Sequence, residues 1–357
     1  MAKQKRNWRI SIALVTFLGA VILISLYYIR PESEEEFPLE EIKVYLPWVK
    51  NPEFSFIDLG VRENFFRSQK IDISLANSRG SHEVVAAFDA GATKFGFLSG
   101  DSLVIARQQG VPIQALFVLF PSSPAVIVSL RDAKIEKPKD LLGKKIGVIK
   151  TSTTYPQFHA LMAHAWKPDP PPRAGEDYFE VEAVAGGLAQ LEAGQVDALT
   201  HYENFAPIQL EVAGYEIGKP IYFRDYGIDI YSTVFATTDE MIRDEEDLVQ
   251  RIVDAMLDSL DMAVSQPQEA LKALYQLNED VTSMGPPEYI EKAQTVAHAL
   301  ATSRSESLPL GHMDADGWAR TEETLRRAGQ AGNLKDNEYY FNRSFLDSYT
   351  KRPRAER

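Results

Sequence analysis

The sequence predicts an α/β protein of two lobes behind one N-terminal transmembrane helix. Three observations carry that expectation. Two short stretches share one form, Phe88-Asp-Ala-Gly91-Ala-Thr-Lys-Phe95-Gly and Leu191-Glu-Ala-Gly194-Gln-Val-Asp-Ala198-Leu. Each closes a helical pattern on an apolar residue, stops it at a glycine free to turn left-handed, and opens a short strand. Strand and helix patterns alternate along the body, as in parallel sheets built from βαβ units. Residues 10–29 run for 20 positions without a charge, about the length a bilayer core requires.

The two repeated strands end in polar groups, Ser99-Gly100-Asp101 in one and His201-Tyr202-Glu203 in the other. Ligands of open α/β sheets sit at the carboxyl ends of strands. Two such ends facing each other make a cleft, which suits a binding protein before an enzyme.

At 357 residues, 45% hydrophobic and 25% charged, the chain has room for two lobes, each with its own core. The first 30 residues carry five basic side chains and no acid, so the remainder holds −18 against the chain's −13. A body this acidic repels nucleic acid and anionic lipid. The absence of cysteine removes disulfides, thiolate catalysis, iron–sulfur clusters and a lipidated cysteine anchor.

Basic residues precede the uncharged run, and Pro31-Glu-Ser-Glu-Glu-Glu36 follows it. The positive-inside rule places residues 1–9 in the cytoplasm and the body outside. A cleaved signal peptide is the competing reading. Its cleavage site calls for small residues where Leu26-Tyr27-Tyr28-Ile29-Arg30 stands, so the run bounded by Ile10 and Ile29 is read as an uncleaved signal anchor in the lipid bilayer. Residues 30–41 are then an acidic tether.

In the body, residues 42–46 alternate as a strand. Ile57, Val61 and Phe65 recur every fourth residue as a helix, and residues 71–75 form a second strand. Helix 82–90, strand 95–98, helix 103–109 and the apolar strand 113–119 follow. Pro138-Lys-Asp-Leu-Leu-Gly143 opens a second unit with strand 146–149, a helix from Pro156 to Trp166, a stiff proline loop, helix 186–194 and strand 196–200. A long alternating β stretch is expected over 221–237. Thereafter the chain reads as helices, with Val249, Ile252, Val253, Met256, Leu257 and Leu260 on one stripe, then 267–277, 287–301 and 315–328. The order implies a first lobe over 42–126, an inserted second lobe over 127–228, a helical return to the first over 229–348, and a tail, 349–357.

Several of these pieces, in this order, resemble one family. They are Trp48-Val-Lys-Asn51, Phe65-Phe66, Lys70-Ile-Asp-Ile73, Ser99-Gly100-Asp101, Ala106-Arg107-Gln-Gln-Gly110, Pro138-Lys-Asp-Leu-Leu-Gly143, Val196-Asp-Ala198 with Tyr202-Glu203, Asp225-Tyr-Gly-Ile-Asp229, and Gly311-His-Met-Asp314 with Trp318. Over residues 42–348 the chain resembles the extracytoplasmic solute-binding proteins of ABC transporters that serve thiamine pyrimidine precursors, alkanesulfonates and nitrate. The resemblance implies a type II periplasmic binding protein fold, closing by hinge motion on a small molecule and handing it to an ABC permease and its ATPase. It places the body at the bacterial inner membrane, on the periplasmic or outer side. The chain departs from the family pattern at Phe54, Asn64 and Lys94.

The candidate ligand residues follow. Trp48 offers a face for stacking a planar ring, and Asn51 an amide that both donates and accepts. Thr151, Ser152 and Thr153, with Thr154, place hydroxyls at a helix start; ordinary capping is the alternative. Ser99 and Ser123 follow first-lobe strands, where capping is again the alternative. The resemblance supports Glu203, beside Tyr202, as the carboxylate that reads an amino group, and Tyr226 as a second aromatic. No histidine set fits a metal, and no cofactor or catalytic residue is expected. The best guess for the ligand is an aminopyrimidine or similar heterocycle. The alternatives are a sulfonate or nitrate anion, or a role as a periplasmic ligand sensor. A pyrimidine synthase, which resemblance to a eukaryotic branch raises, uses a cysteine-rich motif that this chain lacks.

Overall fold

Ile42 and Val44 point into the core while Glu41 and Lys43 stay in solvent, and this period of two sets the first strand, β1 (Glu40–Tyr45). The computed structural model describes residues 38–150, 152–167, 169–184, 187–304, 308–332 and 335–351. The expected membrane span, most of the tether, most of the tail, and Thr151 lie outside the described residues. Among those described, no helix is long and apolar enough to cross a membrane.

A one-turn 3-10 helix, Pro52–Phe54, leads into α1 (Ser55–Arg62) and the short α2 (Phe65–Ser68). β2 (Ile71–Ala76), α3 (Ser81–Asp89), β3 (Phe95–Ser99), α4 (Gly100–Gln108) and β4 (Ile113–Val118) then alternate as expected. The chain crosses at 119–124 into β5 (Ala125–Val128), β6 (Lys145–Val148), α5 (Thr154–Ala165), β7 (Phe179–Glu182), α6 (Leu188–Glu192), β8 (Ala198–Tyr202), α7 (Ala206–Val212) and β9 (Ile221–Tyr222). It returns at 223–232 to β10 (Thr233–Thr238) and a helical tail: α8 (Asp239–Asp244), α9 (Glu246–Ser265), α10 (Pro267–Leu277), α11 (Pro287–Ala301), α12 (Ala315–Arg327) and α13 (Ser344–Lys351).

Two five-stranded sheets result, in the orders β2-β1-β3-β10-β4 and β7-β6-β8-β5-β9. They have the same plan. β1 pairs parallel with β2 and β3, as β6 does with β7 and β8. The fourth strand of each runs antiparallel to both neighbours. It is the strand by which the chain arrives from the other lobe. An arriving chain enters beside the carboxyl ends of the parallel strands, so it runs back against them. The wholly parallel sheet expected from βαβ alternation is corrected on this point. All of β5 belongs to the second sheet, so the first crossing falls just upstream of the expected boundary at 126.

The expected β stretch over 221–237 is also corrected. Only Ile221 and Tyr222 pair there, a 3-10 turn takes Phe223–Tyr226, and regular pairing resumes at Thr233. Ile228 and Ile230 flank Asp229 in a strand-like alternation, and with Tyr231 they are buried because the crossing segment is covered, not because it is in a sheet.

The repeated unit is present in both lobes. Gly91 and Gly194 end their helices at φ +66° and +67°, where any Cβ would be strained, and β3 and β8 follow. One face of the first sheet carries an aromatic cluster in which Phe97 lies 4.9 Å from Phe235, 5.2 Å from Phe54 and 6.1 Å from Phe117. Phe54, where the family pattern differs, is thus a core residue. α1, α9, α10 and α13 cover this face, and α3, α4 and α12 cover the other, with Trp318 stacked on Tyr340 and Phe341. The second lobe has its own core around Phe158, Leu161, Tyr178 and Phe223.

Candidate functional site

The carboxyl ends of both sheets open on one cavity of about 810 Å³ between the lobes. Its volume lies within the range of pockets that enclose drug-sized molecules.

The first-lobe wall begins where β1 stops. Pro47 ends the strand and turns the chain outward, leaving Trp48 45% exposed at the cavity mouth. Asn51 has extended backbone and caps the 3-10 turn: its Oδ1 accepts from Glu53 N at 2.9 Å, and its Nδ2 donates to Val49 O at 3.3 Å. Much of its polar capacity is spent on the loop. The capped turn then aims Glu53 across the cleft, where Glu53 Oε2 accepts from Asn204 Nδ2 of the second lobe at 2.9 Å. Burial raises the Glu53 carboxyl to about 7, against hydrogen bonds from Asn204 and Asn51 that lower it.

The second-lobe wall is the end of β8 and the start of α5. The Tyr202 hydroxyl lies 2.5 Å from Thr153 Oγ1 and 3.3 Å from Ser152 Oγ. Burial pushes this phenol up to about 12. Next to it, His201 Nδ1 accepts the backbone N–H of Tyr202 at 2.9 Å, and burial pulls the imidazole down to about 4. His201 is therefore neutral at physiological pH, with its proton on Nε2. Phe205 packs on it at 5.9 Å, and Tyr289 of α11 closes the wall.

Of the residues expected from sequence, Trp48, Asn51, Ser99, Ser152, Thr153 and Tyr202 line this cavity together. Ser99 Oγ donates to Ser102 Oγ at 2.9 Å at the start of α4, and its side chain makes no capping bond to the helix backbone. Thr151 lies outside the described residues. The structure does not bring the other three to the cavity. Ser123 is fully buried at the first crossing, donating to Gln157 Oε1 at 2.8 Å. Glu203 turns to the opposite side, where both its oxygens meet Arg224, Oε2 at 3.0 Å from Nη2. That guanidinium also donates to Ser123 O and lies over Tyr222 at 4.4 Å. Tyr226 packs on the second-lobe core. Glu203 lies one residue past the end of β8, in a turn where its backbone N–H donates to Pro124 O, and Arg224 draws its carboxylate away from the cavity.

The carboxylate that meets the opposite lobe across the cleft is Glu53, which was not among the residues expected from sequence. The available signal was its place two residues after Asn51 in the loop that carries Trp48. Asn204 and Tyr289 gave no local signal, because only the tertiary fold brings them there. Among the described residues, the lining cations are already engaged: Lys50 Nζ sits 2.5 Å from Asp58 and 2.8 Å from Asn278, and Arg79 is paired with Glu83. No three His, Asp or Glu side chains among the described residues converge as a metal set.

Comparison with known proteins places this geometry. The chain is 22% identical over 349 residues to the riboflavin-binding protein RibY of Chloroflexus aurantiacus, covering 88% of this chain and 89% of that one. It is 21% identical over 316 residues to the formylaminopyrimidine-binding protein of Halalkalibacterium halodurans, covering 86% and 91%. Among solved structures, the alkanesulfonate-binding protein SsuA of Xanthomonas axonopodis pv. citri, bound to MOPS, superposes with a TM-score of 0.62 at 14% identity, covering 84% of this chain and 98% of that one. At that identity the likeness is one of fold. Residues 51–270 match the family described as NMT1/THI5 like, and the chain belongs to that family.

Proposed function

We propose that this protein is an extracytoplasmic solute receptor that captures a planar heterocycle between its lobes and presents it to an ABC permease and ATPase. In this reading residues 10–29 hold it to the outer face of the cytoplasmic membrane, and it performs no chemical step on the solute. The observation that carries the proposal is the interlobe cavity, whose walls combine a half-exposed indole, Trp48, with Tyr202, Phe205 and Tyr289. Stacking a flat ring there buries apolar surface from both partners. Glu53, Asn204 and the His201 Nε2–H supply polar atoms for its edge. Lobes joined by two crossing segments suit closure around a solute. The relatives named for riboflavin and formylaminopyrimidine support a ring-shaped ligand.

The test is calorimetric titration and thermal shift of the full-length protein with riboflavin, 4-amino-5-hydroxymethyl-2-methylpyrimidine, MOPS and nitrate. At least one ring compound is expected to bind at micromolar concentration or tighter, and Trp48→Ala to weaken it. Binding untouched by Trp48→Ala would place the ligand elsewhere.

A further inference from the structure

We propose that Glu53 sets the ligand class of the cleft: it accepts an N–H from the edge of a neutral or cationic ring and turns away anions. The inference rests on the solute-capture reading above and goes further, to one residue and one chemical feature.

Three observations support it. The Glu53 carboxylate faces the cavity from the first lobe and is gripped from the second by Asn204 at 2.9 Å, so it stands where a ligand edge must lie when the lobes close. Asn204 and Asn51 both hydrogen-bond this carboxyl, and its two oxygens together accept more bonds than these two. Among the described residues no basic side chain offsets it, since the lining cations Lys50 and Arg79 are each spent on another acid. Glu279 and Asp280 also line the cavity, so the carboxylates there outnumber the cations, while His201 is held neutral. Above about pH 7, where Glu53 is ionised, a sulfonate or phosphate at the ring position would meet a carboxylate with no counter-charge. A ring imide, amide or exocyclic amino group would instead complete it. Discrimination by an N–H is strong in such a site, because the analogue lacking it leaves a buried acceptor unpaired.

The experiment pairs ligands that differ by one N–H. Riboflavin is compared with 3-methylriboflavin, and 4-amino-5-hydroxymethyl-2-methylpyrimidine with its 4-dimethylamino derivative, on full-length wild type and Glu53→Gln, with MOPS as the anion. Methylation is expected to cost wild type at least tenfold in affinity and the variant no more than about threefold, a coupling that a structural role alone does not produce. Wild type should give no thermal shift with millimolar MOPS. Thermal unfolding confirms that each variant folds. Glu53→Asp, which keeps the charge on a shorter arm, serves as the second variant and should retain part of the N–H preference. Equal methylation penalties in wild type and Glu53→Gln overturn the inference, as does MOPS binding above both ring compounds, while either result leaves solute capture standing. If no compound binds at all, the capture reading falls and the inference with it.

Discussion

Glu53 and Asn204 belong to opposite lobes and meet through a single 2.9 Å hydrogen bond across the cavity. The pair joins the loop after β1 to the turn after β8, the carboxyl ends of two strands in two different sheets. It therefore reports both on closure and on the polarity of the space that a ligand fills.

The protonation of Glu53 should make stability and affinity move in opposite directions with pH. Its carboxyl titrates near 7 in the folded protein against an ordinary 4.5. Between those values the native state holds a proton that the unfolded chain has lost. The stabilisation is complete below about 4.5, declines as pH rises, and is gone above about 7. At about 1.4 kcal/mol per unit the decline is on the order of 3 kcal/mol. Asp101, raised by burial to about 6, adds a decline of the same sign. The other groups around Glu53 do not titrate here, since burial pushes the Tyr202 and Tyr289 phenols upward and holds His201 neutral above about 4. Urea unfolding from pH 5 to 8 should show Glu53→Gln with a flatter profile and greater stability than wild type at pH 8. Affinity for a ring with a free N–H should rise from pH 5 to 7 in wild type and stay level in the variant. Parallel profiles for the two proteins would refute the assignment.

Glu203 and Arg224 should matter to stability and not to the ligand. Their side chains are mostly buried, and Arg224 also holds Ser123 O at the first crossing. Glu203→Ala strands a guanidinium in that environment, at an expected cost of about 3 kcal/mol. Ligand affinity should remain within about threefold of wild type. A large loss of affinity at unchanged stability would restore Glu203 to the binding site.

These two carboxylates mark where the sequence was legible. The alternation of strands and helices, the helix stops and the duplicated Gly91 and Gly194 units depend on local periodicity and backbone freedom, and a single sequence displays both. The helical return showed itself in the stripe from Val249 to Leu260, which is buried as its spacing implies. The 221–237 segment misled because buried crossing chain and strand share the same alternation. The facing of Glu203 was lost because it lies in the turn just past β8, where strand alternation no longer applies, and Arg224, 21 residues on, draws its carboxylate away. Glu53 could not be chosen over Glu203 without Asn204, which lies 151 residues away.

An apolar clasp should govern the balance of open and closed forms. Ile208 and Phe205 of the second lobe pack on Leu274, Val281, Tyr289 and Ile290 of the first. Opening the cleft must part these groups, and burying one such side chain is worth about 2 kcal/mol. Ile208→Asn is expected to favour the open form, seen as a larger radius of gyration by solution scattering without ligand, and to weaken ligand by about tenfold or more. The second-lobe core around Phe158 does not include Ile208, so the far-ultraviolet spectrum should be unchanged. An unchanged radius together with unchanged affinity would show that the clasp does not resist opening.

Trp48 should contribute to binding far more than to folding. Its side chain is 45% exposed at the mouth of the cavity. A tryptophan presents about 150–250 Å², so a ring laid on the indole would cover roughly 100 Å² of it, worth about 2.5 kcal/mol at 25 cal/mol per Å². Trp48→Ala is therefore expected to weaken a stacked ligand by roughly fiftyfold. The folded protein forgoes little by the change, because that surface is in water without the ligand, so stability should fall by no more than about 1 kcal/mol. Trp48→Phe retains part of the face and should fall between. Calorimetry gives the affinities and urea unfolding the stabilities. Affinity and stability falling together by the same free energy would mean that the indole supports the loop and not the ligand.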